Sequence, residues 1–123
     1  VRVYWEDTDA GGVVYHASYL RFLERARTEW VRAQGVDQSE LQARTGIAFM
    51  VRGMQLDFLK AARLDDELSV TVSVKERRGA SILFDQAVVR RADETLLIRA
   101  QVRVACVDLK SMRPAPIPGG LFA

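Results

Sequence analysis

The chain has 123 residues, enough to bury one hydrophobic core and too few for a second domain. Its 18 basic and 16 acidic residues interleave to a net charge of +2, which offers no basic stripe for a nucleic acid. No apolar run approaches the ~18 residues that cross a bilayer, no signal-peptide arrangement is present, and the single cysteine, Cys106, excludes an internal disulfide; a cytoplasmic location is expected.

In chain order, Val1, Val3 and Trp5 alternate loosely with Arg2 and Tyr4, which predicts a first strand. A loop rich in acids and glycine follows, from Asp7 to His16. From Ser18 the period becomes helical: Tyr19, Leu23, Ala26, Trp30 and Ala33 form an apolar stripe that Phe22 widens. One long helix is expected from Ser18 to Gln34, with Ser18 or Asp9 serving its start and Gly35 its stop. Asp37 as cap, with Glu40 three residues on, opens a short second helix that Gly46 ends. Ile47 to Leu59 reads as a strand, less cleanly alternating than the rest. Leu68 to Lys75 alternates strictly, Ser81 to Arg90 follows a turn at Gly79, and Leu96 to Cys106 repeats the period after a turn at Ala92-Asp93-Glu94. The tail from Arg113, with its prolines and Gly119-Gly120, is expected to be irregular. This order gives a single α+β domain over residues 1–123, an antiparallel sheet covering one long helix with Phe22, Leu23 and Trp30 in the core. Valine-rich strands at the edges of such a sheet favour pairing with a second copy, so a dimer is expected.

The segment Asp7-Thr8-Asp9-Ala10-Gly11-Gly12-Val13-Val14-Tyr15-His16 carries more chemistry than a fold needs. A tight loop ahead of a helix start can hold a fixed carboxylate beside free N–H groups, which together supply a base or nucleophile and a site for developing negative charge. Asp7 and Asp9 share a side if the backbone is extended and diverge if it turns at Ala10-Gly11-Gly12; either also suits a loop cap. Gly11 and Gly12 permit close backbone approach, without the spacing or lysine of a phosphate-binding P-loop. His16 is the chain's only histidine, so histidine acid/base work falls there, the alternative being a helix-cap hydrogen bond. One histidine and one cysteine do not make a zinc site. Cys106 lies on the apolar face of its strand and reads as a small hydrophobe. Ser81 has no base beside it in sequence, and its neighbours Arg78 and Gly79-Ala80 leave it open as a ligand contact. Lys75-Glu76-Arg77-Arg78 suits either a solvated strand end or a phosphate-bearing ligand.

Tyr4-Trp5-Glu6-Asp7-Thr8-Asp9-Ala10-Gly11-Gly12-Val13-Val14-Tyr15-His16-Ala17-Ser18-Tyr19, followed by Phe22-Leu23-Glu24-Arg25-Ala26-Arg27-Thr28-Glu29, closely resembles the YbgC-like acyl-CoA thioesterases associated with the Tol-Pal system. Leu56-Asp57-Phe58-Leu59-Lys60 and Ala62-Arg63-Leu64-Asp65-Asp66 extend the resemblance. It implies a hotdog fold, a five-stranded antiparallel sheet wrapped around one long helix, paired so that each active site lies between protomers. It further implies hydrolysis of short- or medium-chain acyl-CoA, with no cofactor beyond the coenzyme A that the substrate brings. The family's catalytic carboxylate falls on Asp9, as base or nucleophile, and its oxyanion donor on the backbone N–H of His16, whose imidazole is also implicated; Asp7 supports the loop. Gly12, Tyr15 and Ser81 become substrate contacts, and Arg78, ahead of Lys75 and Arg77, the contact for the coenzyme's phosphates. Trp5 replaces a tyrosine implicated in activity, Ala61-Ala62 replaces Pro-Ala, and Gly79-Ala80 stands where another member has basic residues. Expected partners are acyl-CoA, a second or a further three copies of the chain, and acyl carrier protein. Two competing readings are a binding scaffold for acyl carrier protein or lipid-synthesis enzymes with little turnover, and a hotdog hydratase. The intact Asp9 and His16 favour the hydrolase.

Overall fold

The computed structural model describes residues 1–118. After a 3-10 turn at Trp5–Asp7, helices α1 (Ser18–Ala33) and α2 (Gln38–Thr45) precede strands β1 (Ile47–Phe58), β2 (Leu68–Arg78), β3 (Ser81–Arg90), β4 (Thr95–Asp108) and β5 (Arg113–Pro114). All pairs are antiparallel, in the order β1-β4-β3-β2. β5 pairs with Val107 and Asp108, the part of β4 that extends beyond its partner β3.

Two expectations at the chain ends are corrected. Residues 1 to 5 do not form a strand: Arg2 makes a single bridge to Glu67, and Val3 exchanges backbone hydrogen bonds with Asp65 and Asp66 before the chain coils at Trp5. Their alternation reflects an anchor at Val3, which is fully buried, between exposed neighbours. The fifth strand comes instead from the tail that was expected to be irregular, at Arg113–Pro114. Beyond it the backbone N–H of Ile117 reaches the carbonyl of Gly79 at 2.8 Å and its side chain enters the core, which straps the tail over the β2–β3 turn. Gly119-Gly120 lies outside the described residues.

Both helices form where the apolar period placed them. α1 buries Tyr19, Phe22, Leu23 and Val31 against the sheet, while Trp30 is only partly buried and meets Phe84 edge to face at 5.5 Å. Its start is not capped by Ser18 or Asp9: Ala17 occupies the cap position, with no side-chain cap hydrogen bond. α2 starts as expected, with the Asp37 carboxylate accepting the Glu40 N–H at 3.1 Å, and Gly46 ends it at φ 74°, a conformation that costs a side-chain-bearing residue strain.

The inner faces of β3 and β4 supply Ile82, Phe84, Val88, Ile98, Ala100 and Val102, all at most 2% exposed; Val88, Ile98 and Ala100 cluster with Phe22 and Leu23 of α1, and Ile82, Phe84 and Val102 form a second cluster beside Trp30. Register shifts at Val51/Gly53, Val74/Glu76 and Val88/Val89 bend the sheet around the helix. β1 differs from the other strands. It lies at one edge over 12 residues, and Met50, Val51, Met54 and Phe58 are 38–54% exposed.

Because Phe22 is fully enclosed, Phe22→Ala should lower unfolding free energy by ~3–5 kcal/mol. Urea denaturation at fixed protein concentration checks this, and a shift below ~1 kcal/mol would mean that the site collapses around the loss.

Candidate active site

The segment from Asp7 to His16 is a small hairpin that ends in a helix. Thr8 bridges Val14, the Asp9 N–H donates to the Val13 carbonyl at 2.9 Å, and the turn between them closes with Gly12 N–H to Asp9 carbonyl at 3.1 Å. Gly12 takes φ 78°, which a side chain resists. Gly11 donates its N–H to Asp9 Oδ1 at 2.8 Å, and a Cβ placed on Gly11 would crowd that oxygen at 3.2 Å.

The backbone turns, so the two acids diverge. Asp7 is 5% exposed and fully engaged: Oδ2 accepts the Tyr4 N–H at 2.9 Å, Oδ1 pairs with Arg21 at 3.0 Å, and its carbonyl accepts the Tyr15 N–H and the Ser18 hydroxyl. Asp9 is exposed, and its Oδ2 meets no protein donor among the described residues. One carboxylate holds the loop and the other is left accessible to chemistry.

Immediately after, the backbone N–H groups of His16 and Ala17 donate to no acceptor among the described residues. They stand at the start of the 16-residue α1, where the helix dipole is positive. The His16 ring stacks obliquely on Tyr15, centroids 4.4 Å apart, and meets Phe58 edge-on at 6.4 Å. His16, Val14, Tyr19, Phe58 and Lys60 line an open cleft of about 320 Å³. Tyr19 belongs to this cleft although its spacing marked it only as core. Its hydroxyl accepts the Ala62 N–H at 3.0 Å, tying α1 to the loop after β1, and burial raises its pKa above the usual phenol value despite that bond. Nothing in a helical period signals such a hydroxyl partner.

Arg78 and Ser81 lie elsewhere. With Arg52, Gln55 and Arg103 they line a second open cleft of about 680 Å³, on the sheet face away from α1. Glu76 sits between the cations, bonded by Arg78 at 2.9 Å and Arg103 at 3.4 Å. The Arg78 bond, with Coulombic attraction from both arginines, holds the Glu76 carboxyl below its usual range. A single chain thus gathers Asp9, Gly12, Tyr15 and His16 into one segment and puts Arg78 and Ser81 on another face. Arg52 and Arg103 were not singled out in sequence, because isolated arginines in strands look like ordinary solvated positions. Among the described residues no three His, Cys, Asp or Glu side chains gather closely enough to hold a metal ion.

The model of the thioesterase-like superfamily matches residues 3–123. An acyl-CoA thioesterase YbgC from Haemophilus influenzae is 51% identical, over 96% of this chain and 85% of its own. An acyl-CoA thioester hydrolase YbgC from Escherichia coli O6:H1 is 49% identical over the whole chain and 90% of its own length. The chain belongs to the YbgC acyl-CoA thioesterase family. Its sheet and central helix are the hotdog fold of that superfamily. A probable thioesterase from Bartonella henselae superposes with TM-score 0.88 at 33% identity, covering 96% of this chain and 95% of that one. A 1,4-dihydroxy-2-naphthoyl-CoA thioesterase from Synechocystis superposes with TM-score 0.89 at 25% identity, covering 96% and 86%. Among the described residues of this YbgC family member no helix is long and apolar enough to cross a membrane.

Replacing Asp7 by alanine strands the Tyr4 N–H and the Arg21 guanidinium, and should cost ~1–3 kcal/mol of stability. A change within the ~0.5 kcal/mol typical of surface positions would show that the loop stands without it.

Proposed function

We propose that this chain hydrolyses short- or medium-chain acyl-CoA thioesters at the junction between the Asp9 loop and the start of α1, in the cytoplasm. The observation that carries this reading is the pair of N–H groups at His16 and Ala17 without an acceptor among the described residues, beside an open cleft and at the end of the loop that presents the accessible Asp9 carboxylate. A thioester carbonyl oxygen bonded to the His16 N–H has its developing charge stabilised by the N–H and the helix dipole. Asp9 Oδ2 then either removes a proton from water, whose oxygen adds to the carbonyl carbon, or adds itself to form an anhydride that water opens. In both routes the tetrahedral adduct collapses by breaking the carbon–sulfur bond, and coenzyme A leaves as thiolate. The imidazole of His16, exposed beside Tyr15, positions water or returns the proton. The reaction needs no further cofactor.

We assign the phosphates of the coenzyme to Arg78, Ser81 and Arg103, where an anion would compete with Glu76 for the guanidinium groups. A homodimer joined along β1 fits both the bare edge and the separation of the two clefts, since a second copy can bring its own cationic cleft toward the first copy's helix start.

Asp9→Asn should lower kcat on acyl-CoA by ~10²–10⁴-fold with the fold intact. His16→Ala, which keeps the N–H, should lower it less. A screen over acyl chain length by thiol release tests the parent claim, and absence of turnover on every thioester would favour the scaffold reading. Met54→Asp on the β1 edge should yield monomers with lost activity in sedimentation and rate assays; an unchanged dimer would place the interface elsewhere.

A further inference from the structure

A third cavity lies away from both clefts, between α1, α2 and the inner face of the sheet. It encloses about 90 Å³, room for roughly six waters or one small functional group, with Val31, Phe49, Ile82, Phe84 and Val104 on its apolar side and Glu24, Thr28 and Gln38 on its polar side. Between these two sides the fold places Arg27, 7% exposed. Its Nη1 donates to Gln86 Oε1 at 2.9 Å. Neither Nε nor Nη2 has a protein acceptor, and Arg27 forms no ion pair among the described residues. Glu24, one turn earlier, is occupied by the Thr28 hydroxyl at 2.8 Å.

Burial of this cation is costly, and its desolvation lowers the pKa below the usual guanidinium value, with Glu24 acting in the opposite direction. Gln86 compounds the cost. It is 3% exposed on the inner face of β3, between Phe84 and Val88, where an aliphatic residue would pack without penalty. Its amide nitrogen donates to the Leu23 carbonyl at 3.1 Å, which by itself fastens α1 to the sheet. Holding Arg27 is therefore a second task. What remains open is the side-on edge of the guanidinium, Nε with Nη2, the pair that receives a carboxylate through two parallel bonds. No side-chain nitrogen sealed from solvent lacks a partner among the described residues, so this edge reaches open space.

We propose that the Arg27–Gln86 cavity is a recognition site for a carboxylate, which docks side-on against Nε and Nη2 of Arg27 with its carbon stem against Phe49 and Phe84. The carboxylate has two possible sources: the far end of a dicarboxylic acyl group, or a free carboxylic acid. The first source rests on the thioesterase reading; the second does not. Arg27 lies nine residues past Ser18, the first residue of α1, about 14 Å of helical rise, so the test spans several acyl lengths.

In one arm, kcat/KM is measured for adipyl-, suberyl- and sebacyl-CoA and for hexanoyl-, octanoyl- and decanoyl-CoA, with the wild type and Arg27→Met. In the other, binding of free hexanoate and adipate to both proteins is followed by titration calorimetry. Losing one partner of a desolvated charge pair should weaken the carboxylated ligand roughly 30-fold or more. That loss confined to dicarboxylic thioesters supports an acyl-end site. Loss confined to the free acids supports a separate carboxylate site, and it is readable even if no thioester is hydrolysed. If Arg27→Met does not fold, the wild type decides alone: no preference for any dicarboxylic thioester and no calorimetric binding of either acid overturns the proposal. Equal loss on charged and uncharged thioesters in a folded variant, without free-acid binding, overturns it too and leaves Arg27 as a support for α1.

Discussion

The buried carboxylate of Asp7 is the constraint on which the rest of the candidate site depends. It accepts the Tyr4 N–H, pairs with Arg21, and through its backbone carbonyl binds Tyr15 and Ser18. Those four partners come from before the loop, after the loop and inside α1, so a single residue fixes where the loop leaves and where the helix begins. The consequence falls on the next residues. Because Asp7 takes the N–H of Tyr15 and the hydroxyl of Ser18, neither Ser18 nor Asp9 caps the helix, and the donors at His16 and Ala17 remain unspent. A capped helix would be locally more stable and would present nothing to a thioester oxygen. The local instability is offset by the core below, where Tyr19, Phe22 and Leu23 anchor the first turns of α1.

The second constraint is electrostatic. The cationic cleft around Arg78 is not an open patch of like charge: Glu76 bonds Arg78 and Arg103, which keeps their side chains together on the sheet. For an exposed group this pairing contributes little to stability, but it sets the geometry of the proposed anion site, whose occupant would displace a carboxylate. Arg27 is the opposite case. Its charge is desolvated, a glutamine holds it in place, and no carboxylate of the described chain pairs with it.

What the sequence revealed and what it hid follow from how local each interaction is. The periods of α1, β2, β3 and β4 are local, and each element appears within a few residues of its expected bounds. Residues 1 to 5 conceal their pairing because the partners lie far along the chain, where Arg2 and Val3 meet Glu67 and Asp66, whereas Pro114 pairs only seven residues back, with Val107, through a two-residue ladder too short to set a period. In the site, the loop was legible as a cluster of acids, glycines and one histidine, but the division between Asp7 and Asp9 required Arg21 and Tyr4 to be in place. Arg27 was invisible for a related reason. It sits four residues after Leu23 and four before Val31, on the apolar stripe, and its role emerges only when β3 brings Gln86 across.

The edge strand β1 links these features. A strand of 12 residues with one bare edge and exposed Met50, Val51 and Met54 is a liability in an isolated monomer, and it carries neither proline nor an inward-pointing charge to blunt pairing. Its bulge at Val51/Gly53 falls near the middle, where added twist helps two such strands lie together. The same strand contributes Phe58 to the cleft beside His16, Arg52 and Gln55 to the cationic cleft, and Phe49 and Val51 to the cavity at Arg27. In the proposed dimer, a second copy along the β1 edge would stand beside all three openings. Pairing there would satisfy the bare edge and bring a second copy to the surfaces proposed for the thioester, the phosphates and a carboxylate, so the cost of leaving β1 unpaired in one chain is met by completing the site in two.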